Sequence, residues 1–269
     1  MRTIIAATDF SEEAENALEY AGALAKETGA RILLFNSFEL PLHTADSLLS
    51  VETVEYLQDE NRQFLEKRSE ELAEKYKIRV DIKLDFMKDV ADQLEHIFTQ
   101  EKADLILMGM ASKSLAQDIF GNTTTAAITK LKYPVLAIPR EVQFRKIQKI
   151  LFACDEPAKV PASVMEKISG IAGIFDASIE IFHVENKTES LQQESREVLE
   201  VGFKQTNHVY KNVTAQEIIG AIEKESEEIK ADLLVMLPQK YGFWESLIHR
   251  SKTRVMASGA SLPLLSIPI

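Results

Sequence analysis

The chain has 269 residues, of which 45% are hydrophobic and 27% charged, and its formal net charge at pH 7 is −11. This composition is typical of a folded protein with one or two domains and excludes an intrinsically disordered chain. The negative charge argues against broad nucleic-acid binding, because phosphate backbones attract basic surfaces.

The single cysteine, Cys154, excludes an internal disulfide and a multi-cysteine metal site, so a reducing compartment fits. Residues 1–9 reach a charged side chain too early for a secretory apolar segment. No run approaches the roughly 20 apolar residues that span a bilayer. We therefore expect a cytoplasmic protein that does not insert into membranes.

In residues 1–140, short apolar runs alternate with longer helical patterns. Continuous apolar runs predict strands covered on both faces, at 3–8, 31–35, 104–108 and 135–138. Apolar and polar residues alternate along 78–86, which predicts a strand at the edge of the sheet. Helices are predicted at 11–28, 47–76, 88–101 and 121–132, and Ser11 is the expected cap of the first. Strands separated by helices imply a parallel sheet.

The charged segment 55–77 permits two interpretations, a coiled coil that binds a partner or a helix on the outer surface of the domain. A coiled coil requires three or four sustained heptads, and the apolar positions do not provide them. The pattern favours the solvated outer helix.

The second part of the chain repeats the first in the same order. Arg-Thr-Ile-Ile-Ala-Ala-Thr-Asp at 2–9 corresponds to Gln-Lys-Ile-Leu-Phe-Ala-Cys-Asp at 148–155, and 103–108 and 133–139 correspond to 231–236 and 262–268. These matches predict two related domains, 1–140 and 146–269, each a five-stranded doubly wound α/β unit. The offset falls from 146 to 128 residues between the first two blocks, so the second copy has lost about 18 residues, most simply from a long helix.

Candidate binding residues follow the predicted strands of the first copy, at the edge where parallel sheets bind ligands. Asp9 follows the first strand and Gly109 ends the fourth, and residues 121–124 (Gly-Asn-Thr-Thr) open a helix. Unpaired N–H groups at a helix start suit phosphate, and glycine allows close approach. Two interpretations remain open for Asp9, Asn122 and Thr123: each either contacts the ligand or is an ordinary helix cap.

These motifs together resemble the universal stress protein family. The resemblance rests on Ile-Ile-Ala-Ala-Thr-Asp-Phe-Ser at 4–11, the segment 104–109, the loop from Gly109 to Gly121 and the segment 134–139. It covers the first copy from end to end and the second more faintly. It implies Rossmann-like (adenine nucleotide alpha hydrolase-like) domains that associate through their last strands, and ATP or AMP as ligand, with or without Mg²⁺.

The resemblance also implies roles for individual residues. Asp9 and the backbone near Ser37 would face the adenine. Gly109, Ser112 and Gly121 would shape the phosphate loop, and Asn122 and Thr123 would contact phosphate or ribose. The loop departs from the Gly-x2-Gly-x9-Gly-Ser/Thr pattern of nucleotide-binding members, because serine replaces the middle glycine, the loop is one residue shorter and Asn122 follows the last glycine. A non-glycine residue at positive φ costs on the order of 1 kcal/mol.

The second copy departs further from this pattern. Asp155 is retained, but the fourth strand ends in Leu-Pro-Gln-Lys at 237–240, and Arg250-Ser251 replaces the last glycine and asparagine. Proline supplies no N–H donor, so we expect no ordinary nucleotide site here. His249, Arg250, Lys252 and Arg254 form either an anion site or a solvated or interdomain face.

Other chemistries find little support. The sequence contains no P-loop and no Gly-x-Gly-x-x-Gly after the first strand, and the scattered histidines (His43, His96, His183, His208 and His249) have no ligand spacing. Cys154 is expected to be a buried small residue rather than a nucleophile, and Phe243 and Trp244 to pack over the altered second site. Group transfer in the adenylate cleft is disfavoured because the sequence offers no nucleophile and no cysteine pair that could handle sulfur.

The sequence therefore predicts a stress-response regulatory module that binds one adenine nucleotide in its first domain and is not an enzyme, apart from slow ATP hydrolysis at most. The edges at 135–138 and 264–267 should meet in an intramolecular pseudo-dimer, and a homodimer of such chains stays open. The protein partner is not specified by the sequence. The alternative is an interaction protein that binds no nucleotide because both sites are degenerate.

Overall fold

A computed structural model describes residues 1–38, 51–85, 89–110, 122–154, 159–185, 199, 202–204, 206–215, 217–238 and 262–269. The first half contains β1 (Thr3–Ala7), α1 (Glu12–Thr28), β2 (Arg31–Ser37), α2 (Val51–Tyr76), β3 (Val80–Asp85), α3 (Val90–Glu101), β4 (Leu105–Met110), α4 (Asn122–Lys130) and β5 (Val135–Pro139). The second contains β6 (Lys149–Ala153), α5 (Ala162–Phe175), β7 (Ser178–Glu185), β8 (His208–Thr214), α6 (Ile218–Ile229), β9 (Leu233–Met236) and β10 (Leu264–Ser266).

All the described strands form one sheet, in the order β3-β2-β1-β4-β5-β10-β9-β6-β7-β8. The strands within each half are parallel, and β5 pairs with β10 antiparallel, with Leu264 opposite Ala137 and Ser266 opposite Val135. This confirms the predicted α/β fold with a parallel five-stranded sheet in each half. The expected meeting of the last strands is also observed, and β3 lies at the sheet edge as its alternating pattern predicted.

Helix α1 shows how local sequence sets the bounds of an element. The Ser11 side chain accepts a hydrogen bond from the Ala14 N–H, which satisfies one of the unpaired donors of the first turn. The helix ends at Gly29, whose φ of 70° is left-handed and whose N–H bonds to the Ala25 carbonyl. Its alanine- and leucine-rich face, which includes Leu18, is buried against the sheet.

The core consists of two layers, one on each face of the sheet. In β1, Ile4 and Ala6 contribute to the layer with α1, α2 and α5, whereas Ile5 and Ala7 contribute to the layer with α3, α4 and α6. Each layer contains residues from both halves, so apolar side chains cover the β5–β10 junction. The Tyr20 ring of α1 packs edge-on against Phe144 at 5.1 Å between ring centroids, beside this junction.

The halves differ most in one connection. The segment from β2 to β3 comprises 42 residues (38–79), whereas the segment from β7 to β8 comprises 22 (186–207). The shortening inferred from the sequence therefore falls in the β7–β8 connection, which corresponds to the first-half connection that contains the long helix α2. The domain boundaries at 140 and 146 stay a prediction. No helix in the described ranges is both long and apolar enough to cross a membrane.

Candidate functional site

The strand order places the predicted site at the point where the winding of the sheet reverses. β1 lies between β2 and β4, with Ala7 opposite Phe35 and Ala6 opposite Leu107. Asp9, just beyond β1, therefore comes to the same edge as the ends of β2 and β4, since parallel strands end on one side of a sheet. This is the crevice in which open α/β sheets bind ligands.

The Asp9 side chain is exposed and supports the start of α1. Its Oδ1 accepts hydrogen bonds from the Ser11 N–H (3.0 Å) and the Ser11 hydroxyl (2.6 Å). Ser11 in turn accepts from Ala14 N at 3.2 Å, so Ser11 is the helix cap and Asp9 holds that cap in place. Asp9 is therefore not the helix cap, as one interpretation of the sequence had it, but it does have a structural role because it binds the residue that is.

A tight turn links β1 to α1. Phe10 has a φ of 62°, in the left-handed region, and its N–H bonds to the Thr8 hydroxyl at 3.0 Å. Such a conformation costs a non-glycine residue on the order of 1 kcal/mol, so it persists where the surroundings stabilise it. The turn directs the chain from the sheet edge into α1 and leaves Asp9 at the surface of the crevice.

Gly109 is required where α1 crosses β4. A Cβ atom at this position would lie 2.6 Å from the Glu13 carbonyl carbon and oxygen and 2.8 Å from the Ala14 nitrogen. No side chain fits between strand and helix at such distances. The packing of α1 therefore accounts for the glycine that the sequence analysis had assigned to a phosphate loop.

The first turn of α4 is fastened to the end of β4. The Thr124 hydroxyl donates to the Gly109 carbonyl at 2.9 Å, and Thr124 is 5% exposed. Thr123 is exposed, and Asn122 is the first residue of the helix. Ser112 and Gly121 lie outside the described residues. The sequence analysis treated the hydroxyl and amide side chains at 122–124 as one group. Only the structure shows which of them faces the sheet, and that residue is Thr124, which anchors the helix.

Asn36 is a polar residue of this edge that sequence analysis missed. It is 4% exposed, and its Nδ2 donates to the Thr8 carbonyl at 2.8 Å, while its Oδ1 is buried without a hydrogen-bond partner. The next residue, Ser37, ends β2 and is half-buried. An asparagine at the end of the apolar run 31–35 was the available signal, because buried polar side chains generally need partners.

Charged groups near the α1 start belong mainly to structural contacts. Arg140, just after β5, forms ion pairs with Glu12 and Glu13. Asn16 of α1 donates to the carbonyls of Pro139 and Val142, each at 2.9 Å. These contacts fix α1 to the end of β5 and so set the crevice wall.

The second half presents a different edge. Leu237 lies where the first half has Gly109; it is 6% exposed and belongs to the core layer beneath α5. Cys154 is 1% exposed, as expected for a buried small residue, and its carbonyl bonds to His183 Nδ1 at 2.9 Å. Outside the described residues lie Asp155 and the predicted features Phe243, Trp244, His249, Arg250, Ser251, Lys252 and Arg254. In the described part of the chain, no three His, Cys, Asp or Glu side chains form a metal-binding group.

Comparison of the chain with known proteins identifies one family and several solved structures that are similar to it. The model of the Universal stress protein family matches residues 1–139. A universal stress protein from Archaeoglobus fulgidus DSM 4304 is 19% identical, with a TM-score of 0.75, over 99% of this chain and 98% of its own. A functionally unknown protein from Pseudomonas aeruginosa PAO1 is 14% identical, with a TM-score of 0.58, over 100% of this chain and 92% of its own. No curated protein sequence matches the chain.

Proposed function

Because the chain belongs to the universal stress protein family, we propose that it is a stress-response module whose first half binds one adenine nucleotide, ATP or AMP. Asp9 faces the amino group of the base, the backbone near Ser37 borders the ring, and the first turn of α4 faces the phosphates. Gly109, Ser112 and Gly121 shape the loop between them, and Mg²⁺ accompanies the phosphates of ATP.

The observation that carries this proposal is the bond from the Thr124 hydroxyl to the Gly109 carbonyl. It holds the amino end of α4 against the end of β4, beside the strand that leads to Asp9. Backbone N–H groups in a first helical turn are unpaired and carry about half a positive charge. They attract an anion locally even though the whole chain has a net charge of −11.

An acceptor near the end of β1 supports recognition of the base. Ser11 occupies Oδ1 of Asp9, and no described residue donates to Oδ2. That oxygen can accept a hydrogen bond from an exocyclic amino group. The Oδ2 of Asp9 therefore suits a base that donates a hydrogen bond, as adenine does through its amino group.

We further propose that nucleotide binding shifts the protein between states rather than fuelling turnover, with slow ATP hydrolysis at most. General acid–base catalysis needs a titratable group within hydrogen-bond reach of the reacting atoms. In this proposal Asp9 faces the base of the nucleotide, so its carboxylate is not the group that would activate water at the phosphates. We assign the protein to the cytoplasm, because a chain with a single cysteine fits a reducing compartment.

The test is to denature the purified protein, chromatograph the released small molecules and titrate the emptied protein with ATP and AMP by calorimetry. We expect one nucleotide per chain. Asp9→Asn keeps an oxygen for Ser11 but loses the charge, and should weaken binding about tenfold, a loss of about 1.4 kcal/mol. Gly121→Arg should abolish binding by obstructing the predicted phosphate loop.

Thr129→Ala, at the far end of α4, is the matched control and should bind as the parent does. Absence of nucleotide in the purified protein, together with no heat of binding at millimolar ATP or AMP, would contradict the proposal. The alternative would then hold, in which both sites are degenerate and the protein acts through protein partners alone. The Ser11 bonds to Asp9 are the observation that favours this alternative, because they explain the aspartate without a ligand.

A further inference from the structure

One face of α2 lies along α1 and leads to the turn at residues 8–11. A Cβ atom at Gly22 of α1 would lie 2.3 Å from Cδ2 of Tyr76, so the Tyr76 ring rests on the backbone of α1. One turn earlier on α2, Leu72 is fully buried in the core layer that contains α1. Side chains four residues apart lie on the same side of a helix. The face therefore continues through Arg68 and Phe64.

The next two turns of this face reach the start of α1. The Arg68 guanidinium forms ion pairs with Glu15 (2.7 Å) and Glu19 (2.8 Å) of α1. One turn earlier, the Phe64 ring contacts the Phe10 ring, with 6.1 Å between the ring centroids and 48° between their planes. Phe10 comes two residues before α1 begins. Helix α2 is therefore fastened to α1, and Phe64 extends the contact to the turn.

Phe10 is the residue of this turn whose conformation needs support. Its φ of 62° is left-handed, a region that a bulky side chain rarely adopts. Its N–H donates to the Thr8 hydroxyl, and the N–H and hydroxyl of Ser11 donate to Asp9 Oδ1. These bonds require the direction that the chain takes at Phe10, because the next residue must turn back toward Asp9. The free energy gained by an aromatic pair is of the same size as the cost of a left-handed non-glycine residue, so the Phe64 contact is strong enough to stabilise the turn.

We propose that Phe64 is a positioning residue of the crevice, which holds the turn at 8–11 in its left-handed form and so fixes the Asp9 carboxylate. Fixing that carboxylate before a nucleotide arrives lowers the ordering cost of binding, a step that rests on the proposed function. Phe64 is 58% exposed, so most of its ring lies outside the core. Its removal should therefore cost the fold little, and the effect should be confined to the turn.

The second copy of the sequence differs on both sides of this contact. When residues 2–9 are matched with 148–155, the residue after the aspartate is Phe10 in the first copy and Glu156 in the second. The connection that corresponds to the one with α2 comprises 22 residues instead of 42. This is the half in which we expect no ordinary nucleotide site. The aromatic contact and the predicted site therefore occur together in the first half.

The first measurement is nucleotide affinity, by calorimetric titration of the emptied full chain with ATP or AMP. Phe64→Ala should weaken binding about fivefold, whereas Phe64→Tyr, which keeps the ring, should bind as the parent does. Tyr56→Ala removes an exposed ring two turns away on the same helix and is the control. In Phe10→Gly the turn adopts a positive φ without strain, so adding Phe64→Ala should change the affinity less than about twofold. Phe10→Asn gives the same comparison if Phe10→Gly does not fold, because asparagine also tolerates this conformation.

The second measurement needs no nucleotide. Exchange of the Phe10 and Ser11 amide hydrogens, followed by NMR, should be about fivefold faster in Phe64→Ala and as in the parent in Phe64→Tyr, while exchange at Leu34 in β2 stays unchanged. If the parent binds no nucleotide, the proposed function fails, and the exchange rates alone decide whether Phe64 holds the turn. Unchanged exchange at Phe10 and Ser11 in Phe64→Ala would overturn the proposal. In a parent that binds nucleotide, so would unchanged affinity in Phe64→Ala, or equal losses with and without Phe10→Gly.

Discussion

At its amino edge, the sheet is fastened in the same way in both halves. Asp104 Oδ2 accepts from the N–H groups of Arg2 (2.6 Å) and Thr3 (2.9 Å). Asp232 Oδ2 accepts from those of Gln148 (2.8 Å) and Lys149 (3.0 Å). The repeated Ala-Asp pair of the sequence therefore has a structural purpose in each half, since it satisfies the first backbone donors of β1 and β6.

At the carboxyl edge the halves diverge. Gly109 lets α1 approach β4 closely, whereas Leu237 fills the corresponding space with a side chain. Asn36 and His183 each bond to the carbonyl that follows the neighbouring strand, but with different side chains. The comparison teaches that the amino edge maintains the fold, while the carboxyl edge can change its chemistry without loss of the strand order.

The largest expected effect follows from Gly109→Ala. The added methyl group would lie 2.6 Å from the Glu13 backbone, so α1 must move, and overpacking of this kind costs about 3 kcal/mol. Urea unfolding should show a lower midpoint, and nucleotide binding should be lost with it. Gly173→Ala, whose Cβ meets nothing within 4 Å, should be neutral or stabilising. Equal stability of both variants would mean that α1 does not pack tightly on β4.

The next effect tests the shared amino edge. Asp104→Ala and Asp232→Ala each remove a carboxylate that accepts two backbone hydrogen bonds, and each should cost about 2 kcal/mol. Chemical denaturation of the two variants side by side measures the difference. The equivalence of the halves predicts similar losses. A loss confined to one variant would show that the other half is fastened by different contacts.

Much of this fold could be predicted from the sequence. Apolar runs bounded by helical patterns located the ends of β1, β2, β4 and β5 to within two residues, and the alternation at 78–86 identified the edge strand β3. The meeting of the last strands was also expected. These predictions succeed because a strand buried on both faces must be apolar throughout, and because local periodicity determines which side of a helix is buried.

The site was less predictable, because its contacts join residues distant in sequence. Gly109 was assigned to a phosphate loop, yet the backbone of Glu13, almost a hundred residues earlier, requires it. Asn36 was not recognised, since its partner Thr8 lies just beyond the end of the neighbouring strand β1, 28 residues earlier in the chain. Ligand roles of Asn122 and Thr123 stay predictions, as do those of Ser112 and Gly121. A linear pattern reveals which residues can bind phosphate but not which of them the fold already uses.

An exchange of residues between the halves should produce a smaller effect. His183 Nδ1 must carry the proton, because the Cys154 carbonyl can only accept, whereas Asn36 leaves its Oδ1 buried and unpaired. His183→Asn should therefore cost about 1 kcal/mol, and Asn36→His should cost less than that or stabilise the protein. Thermal unfolding of the two single variants and of the double exchange measures this. A greater loss for Asn36→His would show that the first half needs the amide.

A dependence of stability on pH is expected from a carboxyl pair in the second half. Glu180 of β7 faces Glu225 of α6, which is 4% exposed and paired with Lys211 of β8 at 2.5 Å. Glu228 of α6 lies 3.6 Å from the same ammonium group. Burial, the hydrogen bond with Glu225 and the negative charge of Glu225 together raise the pKa of Glu180 from 4.5 to about 7, and burial contributes most. The positive charges of Lys211 and Lys149 oppose this shift of the pKa.

This shift makes the stability of the protein depend on pH. Between pH 4.5 and about 7 the unfolded chain loses the Glu180 proton while the folded chain keeps it, so the free energy of unfolding should fall as the pH rises through that window. Glu180→Gln donates to Glu225 without titrating and should flatten the slope in urea melts from pH 5 to 7.5. Glu228→Gln, also beside Lys211, should leave the slope as it is. An unchanged slope in Glu180→Gln would show that Glu180 does not hold the proton that the folded chain retains in this window.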